Sequence, residues 1–125
     1  MLSFLKALFS FEPRLPVDVA QAMLDDGKAI LIDVREPDEL RSSGRAKGAL
    51  HLPLSSLAQR GDPQSGHFER KLKPAMSGEK ALILYCASGM RSGRAARMLR
   101  AKGFVEVHNM GSLAQWSAAG GDVQR

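Results

Sequence analysis

The chain has a single cysteine, Cys86, among its 125 residues. It therefore cannot close an internal disulfide, carries no Cys-x-x-Cys redox pair and offers no cysteine-rich zinc site, so any redox cycle at this sulfur must use an outside thiol. Histidine is sparse too: the three residues His51, His67 and His108 stand far apart without the spacing of a ligand pair, so neither a metal site nor a cofactor is expected. No apolar run approaches the roughly 20 residues of a membrane span. Aromatic residues make up only 6% of the chain, and none interleaves with the basic residues as a base-stacking platform requires. That argues against a nucleic-acid partner in spite of a formal charge of +5. Repeats and low-complexity tracts are also missing.

What is present fits one ordinary domain. Apolar content of 44% with 25% charged residues is typical of a globular protein, and a chain of this length buries roughly two thirds of its unfolded surface without disulfides or metal. Arg91, Arg94, Arg97 and Arg100 recur at intervals of three and so spiral around a helix rather than forming one stripe; their charge suits attraction of a small anion. From Met1 to Phe11, Ser3, Lys6 and Ser10 share one arc of a helical wheel while Leu and Phe fill the other half. This amphipathic segment lacks a basic start and a small-residue cleavage site. Its pattern suits packing against the domain or a partner better than membrane-surface contact through residues 1–11. Residues 1–13 are accordingly read as an N-terminal segment and 14–125 as the folded domain. With no leader and a cysteine that must stay reduced to act, the cytoplasm is the expected compartment.

Helical and strand-like segments alternate along the chain. Pro16 opens a helix to about Asp26, with Val17, Ala20, Met23 and Leu24 on one face and Gly27 at its end. Ala29 to Val34 is a short apolar strand buried on both faces. A short helix over Glu36 to Ser42, a strand over Ala49 to Leu52 and a helical turn from Ser55 to Arg60 follow. The loop Gly61 to Gly66 leads to a helical stretch from Phe68 to Met76, in spite of Pro74. A strand from Ala81, a helix from Gly93 to Lys102, a strand over Phe104 to Val107 and a helix from Gly111 to Ala119 complete the set. Such alternation implies an α/β fold: a central, mostly parallel sheet flanked by helices on both faces.

Cys86 falls where the apolar strand Ala81-Leu-Ile-Leu-Tyr85 breaks into Ala87-Ser88-Gly89-Met90-Arg91-Ser92. A lone cysteine is by default a small buried hydrophobe, but open α/β sheets place their ligand sites outside the carboxyl ends of strands. Gly89 and the small Ala87 and Ser88 suit a tight loop whose backbone N–H groups point at the sulfur, ahead of a helix N-terminus. Amide donors, the helix end and Arg91 all favour thiolate, the nucleophilic form. The expected chemistry is sulfur or acyl-type transfer on Cys86.

These residues resemble the rhodanese-like domains from about Arg14 to Gly120. Cys86-x-x-Gly89-x-Arg91-Ser92 after a hydrophobic strand is similar to the active-site loop of single-domain rhodaneses. Leu31-Ile-Asp33-Val-Arg35 is similar to their Asp-Val-Arg signature, and Gly44 to Pro53 to their Gly-His-Ile-x-Gly-Ala stretch. Gly111-Ser-Leu-Ala-Gln-Trp116 resembles a Gly-Gly-x-x-x-Trp pattern. Arg45 stands where the family has histidine and Ser112 where it has a second glycine; both lie outside the cysteine loop.

The resemblance implies a sulfurtransferase. Cys86 thiolate would take the outer sulfur of thiosulfate or a similar small anionic donor, hold it as a persulfide, and pass it to a thiol, cyanide or protein acceptor in ping-pong fashion. Backbone amides of Ala87, Ser88, Gly89, Met90, Arg91 and Ser92 would stabilise the anion, with Arg91 offering a forked donor to a sulfonate-like group. Ser92 is read as a helix cap, Tyr85 and Trp116 as core or cleft wall. Asp33 and Arg35 are read as supporting residues, Asp33 accepting backbone hydrogen bonds and Arg35 pairing with a carboxylate. Two alternatives stand beside this reading. One is a persulfide carrier or interaction module with little free turnover, docking through the N-terminal segment. The other is a phosphatase or arsenate reductase, which the six-residue loop Cys86 to Arg91 opposes because those enzymes use Cys-x5-Arg.

Overall fold

The apolar strands Ala29–Asp33 and Ala81–Cys86 build the centre of the molecule. The computed structural model describes residues 13–125, so the N-terminal amphipathic segment lies almost entirely outside the described residues. In chain order the elements are α1 (Val17–Asp25), β1 (Ala29–Asp33), α2 (Pro37–Ser43), β2 (Arg45–Ala46), β3 (Leu50–His51), α3 (Leu54–Arg60), a 3-10 turn (Arg70–Leu72), α4 (Lys73–Met76), β4 (Ala81–Cys86), α5 (Met90–Ala101), β5 (Val107–Ser112), α6 (Leu113–Ala118) and β6 (Val123–Gln124). The main sheet runs β3-β1-β4-β5 with every pairing parallel. The chain steps outward from β1 to β3 on one side and to β4 and β5 on the other, so the carboxyl ends of β1 and β4 flank the point where the winding reverses, the usual ligand position of such sheets.

Strand periodicity divides the core into two layers. Ile32, Val34, Leu82, Leu84 and Cys86 face α3, α4 and α5, where they meet Leu57, Ala75, Ala95, Ala96 and Leu99. Leu31, Ile83 and Tyr85 face α1 and α6 and meet Ala20 and Trp116. Helices thus cover both faces, as expected. Among the described residues no helix is long and apolar enough to cross a membrane.

Several boundaries differ from those expected. Pro74 is accommodated because it opens α4, where its missing N–H has no helical partner. The strand expected over Phe104 to Val107 lies at Val107–Ser112. Phe104 is a core residue at the end of the α5 turn, its N–H on the Leu99 carbonyl at 3.3 Å, while Val105 is exposed. The paired segment is polar in sequence, since His108, Asn109 and Ser112 interrupt it, and it carries an irregularity opposite Leu84/Tyr85. Helix α5 starts at Met90 rather than Gly93, because Gly89 adopts the left-handed conformation (φ 94°) as its N-cap and accepts the Gly93 N–H at 3.1 Å. A two-stranded antiparallel ribbon, β2 with β6, was not legible in the sequence.

Candidate active site

Cys86 is the last residue of β4, and the chain turns within Ala87-Ser88-Gly89 into the twelve-residue helix α5. The turn wraps the sulfur. The Gly89 N–H lies 3.0 Å from Sγ, the Ser92 N–H 3.4 Å and the Ser92 Oγ 3.4 Å. Burial on its own would raise the thiol pKa, but the Ser92 hydroxyl and the N–H groups of Ser92, Ser88 and Gly89 outweigh it, and the net shift is downward. Cys86 itself is fully buried, at 0% exposure. A thiolate here is therefore a desolvated anion held by directed donors at the positive end of a helix.

Ser92 is placed differently from the cap expected of it. It is the third residue of α5, buried, with Oγ at 2.7 Å from Asn109 Oδ1 as well as against the sulfur. Asn109, which the sequence did not single out, braces the loop from β5. Its Nδ2 donates to the Gly89 carbonyl at 2.9 Å, and its Oδ1 also accepts the Gly111 N–H at 3.0 Å. Met90 is 77% exposed beside the loop.

Arg91 sits in the first turn of α5 with both terminal nitrogens on Glu39, each at 2.7 Å. The fork expected to face a sulfonate-like group is thus closed on a carboxylate of α2. The pairing holds Glu39 at a pKa of about 2 and pushes Arg91 upward.

Asp33 and Arg35 occupy the opposite layer of the sheet from Cys86. Asp33 Oδ1 accepts the Arg35 backbone N–H at 2.8 Å, and Oδ2 accepts from Arg35 Nη2 at 2.8 Å and from the Tyr85 hydroxyl at 2.6 Å. Arg35 continues to Ser43 Oγ at 2.8 Å and to the Gly44 carbonyl, and the Tyr85 oxygen accepts the Ala46 N–H at 2.9 Å. Burial and Asp33 drive the Tyr85 hydroxyl above its ordinary pKa, which keeps it a donor. The group ties β1, β4, the end of α2 and β2 together. Trp116 lies on this side too, its Nε1 on the Asp122 carbonyl at 2.8 Å, and lines an open groove remote from the sulfur. Of the two family departures, Ser112 pairs in register with Cys86 and caps α6 through a reciprocal bond with Gln115, whereas Arg45 lies in β2.

The thiol thus ends a central strand of a doubly wound α/β domain, with the Gly89 and Ser92 N–H groups directed at its sulfur. The chain belongs to the rhodanese-like domain family, whose model matches residues 16–119. It is 32% identical over 105 residues to the thiosulfate:glutathione sulfurtransferase of Saccharomyces cerevisiae, covering 78% of this chain and 70% of that one. It is 41% identical over 90 residues to the uncharacterized protein YqhL of Bacillus subtilis, covering 71% of this chain but only 61% of the relative's length. Among solved structures it resembles a Rhodopseudomonas palustris protein of unknown function, described as a possible tyrosine phosphatase. The TM-score there is 0.78 at 28% identity, covering 95% of this chain and 89% of that one.

Proposed function

We propose that this protein is a sulfurtransferase that moves sulfane sulfur from thiosulfate or a similar small anionic donor to a thiophilic acceptor through a Cys86 persulfide. The observation that carries the reading is the convergence of the Gly89 N–H, the Ser92 N–H and the Ser92 hydroxyl on one sulfur whose pKa is lowered. The Cys86 thiolate forms a bond to the outer sulfur of thiosulfate, the donor's S–S bond breaks, and sulfite departs with its electron pair. The persulfide keeps one negative charge on its terminal sulfur, where the backbone N–H groups of the loop would stabilise it as an oxyanion hole stabilises oxygen. An acceptor thiolate, cyanide or a protein thiol then attacks that terminal sulfur and Cys86 leaves as thiolate. The yeast relative's name agrees with this chemistry. Because the nucleophile must remain reduced, a reducing compartment such as the cytoplasm suits it.

The phosphatase reading requires the cysteine loop's own arginine to clamp a tetrahedral oxyanion, and Arg91 is committed to Glu39. Intact-protein mass spectrometry after thiosulfate treatment tests the choice. Wild type should gain one sulfur atom, lost again on adding cyanide, while Cys86→Ser should gain none with its fold intact. No gain together with hydrolysis of an aryl phosphate would transfer the assignment to the phosphatase class. Loading without turnover on small thiols would indicate a carrier.

A further inference from the structure

A thiolate that accepts sulfur from an anionic donor repels it, so a cation close to the sulfur is needed to bring the two together. Two arginines stand beside the loop. Arg91 has its charge matched and its fork occupied by Glu39. Arg14 differs on each count. It precedes α1, outside the matched family region, and the backbone there is anchored to β5 by the Leu15 N–H on the Asn109 carbonyl at 2.8 Å. Its side chain reaches back over the cysteine loop. Nη2 donates to the Ser88 carbonyl at 2.8 Å. Nη1 lies 3.4 Å from Gln115 Oε1, an oxygen already accepting from Ser112 N at 3.0 Å and Ser112 Oγ at 3.2 Å. Both partners are uncharged, and no carboxylate pairs with Arg14 among the described residues.

The guanidinium lies in a slot made by two glycines. A Cβ on Gly89 would collide with Nη2 and Cζ of Arg14, and one on Gly111 would strike Gln115 Oε1 and come within 3.2 Å of Nη1. Both glycines hold positive φ, 94° and 110°, so a side chain is excluded at each on conformational grounds as well. Gly89 is also the residue whose N–H touches Sγ at 3.0 Å. The slot therefore sets a guanidinium against the same residue that cradles the sulfur. A guanidinium has five N–H donors; two are engaged here, one of them weakly. The side chain is exposed.

We propose that Arg14 recognises the anionic end of the molecule that reacts at Cys86, binding the sulfonate-like group of the donor while the Gly89 and Ser92 N–H groups hold the reacting sulfur. The identity of the donor rests on the sulfur-transfer reading above; the recognition of an anion rests on the geometry of Arg14.

Alkylation of Cys86 in the full chain by iodoacetate and by iodoacetamide separates charge from access, since the reagents are near in size and only the first is an anion. Arg14→Gln should slow iodoacetate about tenfold, as expected for loss of a charge-assisted contact, and leave iodoacetamide within about twofold. The kcat/KM for thiosulfate should fall by a similar factor, mostly through KM, and Arg14→Lys should recover part of both. Added salt should slow iodoacetate in wild type and much less in Arg14→Gln. Equal slowing of both reagents would overturn the proposal, reducing Arg14 to a brace for the Ser88 carbonyl, and unchanged rates for both would remove it from the approach path. A wild type that shows the charge preference yet takes no sulfur from thiosulfate would refute the donor and leave Arg14 as an anion receptor.

Discussion

At the scale of single residues the site turns on the one proton of Ser92. Its Oγ is 2.7 Å from Asn109 Oδ1 and 3.4 Å from Cys86 Sγ. With a neutral thiol the hydroxyl donates to Asn109 and the S–H can donate to Oγ. With a thiolate the hydroxyl turns to the sulfur, and Asn109 Oδ1 keeps the Gly111 N–H at 3.0 Å. Because the folded thiol is lowered from its ordinary value of 9.0, the alkylation rate should reach its plateau at a lower pH than a free thiol's and decline only as pH falls through the folded value. In linkage terms the thiolate's contribution to stability is fully present above the unfolded pKa and is lost as pH falls through the depressed one. Ser92→Ala removes one donor, so the midpoint should move to higher pH and the rate at pH 7 should fall about fivefold; iodoacetamide rates measured across pH check it. An unmoved midpoint would assign Ser92 to packing alone. No motif marks Asn109 in the sequence, since it stands in a polar stretch, and its role appears only when β5 lies beside the loop.

At the scale of elements, the start of α5 and its tie to α2 decide how firmly the loop is held. Gly89→Ala would place a Cβ at φ 94° and against the Arg14 guanidinium. A cost of about 1–3 kcal/mol is expected from the backbone strain, read as a lowered urea midpoint, together with loss of sulfur loading as the N–H swings off Sγ. The Glu39–Arg91 pair is partly exposed, the two side chains at 28% and 34%, so Glu39→Gln should cost no more than about 1 kcal/mol. Glu39 is depressed from 4.5 to about 2. Its contribution is therefore complete above pH 4.5 and disappears as pH falls toward 2, and the stability difference between wild type and Glu39→Gln should close over that window. The displaced strand belongs to this scale too. A strand is expected over Phe104–Val107, but Val107–Ser112 pairs because β4 supplies the partner edge, and pairing depends on register more than on composition.

At the scale of the whole molecule, the Asp33–Arg35–Tyr85 group is the fastening between layers. Asp33 is 0% and Arg35 2% exposed, and the guanidinium carbon also lies 5.9 Å from the Tyr85 ring centroid. Removing one partner strands the other charge in a dry interior. Asp33→Ala should lower stability by about 3–5 kcal/mol, measured by urea unfolding, while the folded fraction still loads sulfur on Cys86, since the group lies in the opposite layer. A loss of loading in fully folded Asp33→Ala would instead make the pair part of the active site.

Interactions between residues close in sequence determine the parts of this fold that a local pattern encodes. Alternating strand and helix patterns imply a parallel α/β sheet, and the break after Tyr85 places Cys86 at a strand's carboxyl end. The small residues Ala87 to Gly89 imply a tight amide loop. Each follows from local propensity and periodicity, which act over a few residues. Tertiary structure alone decided that Arg91 faces Glu39, that Asn109 braces Gly89, and that Arg14 reaches Ser88 from 74 positions away. Those pairings depend on strand order, register and the side-chain reach they leave, and no local pattern in the chain encodes which distant groups will meet.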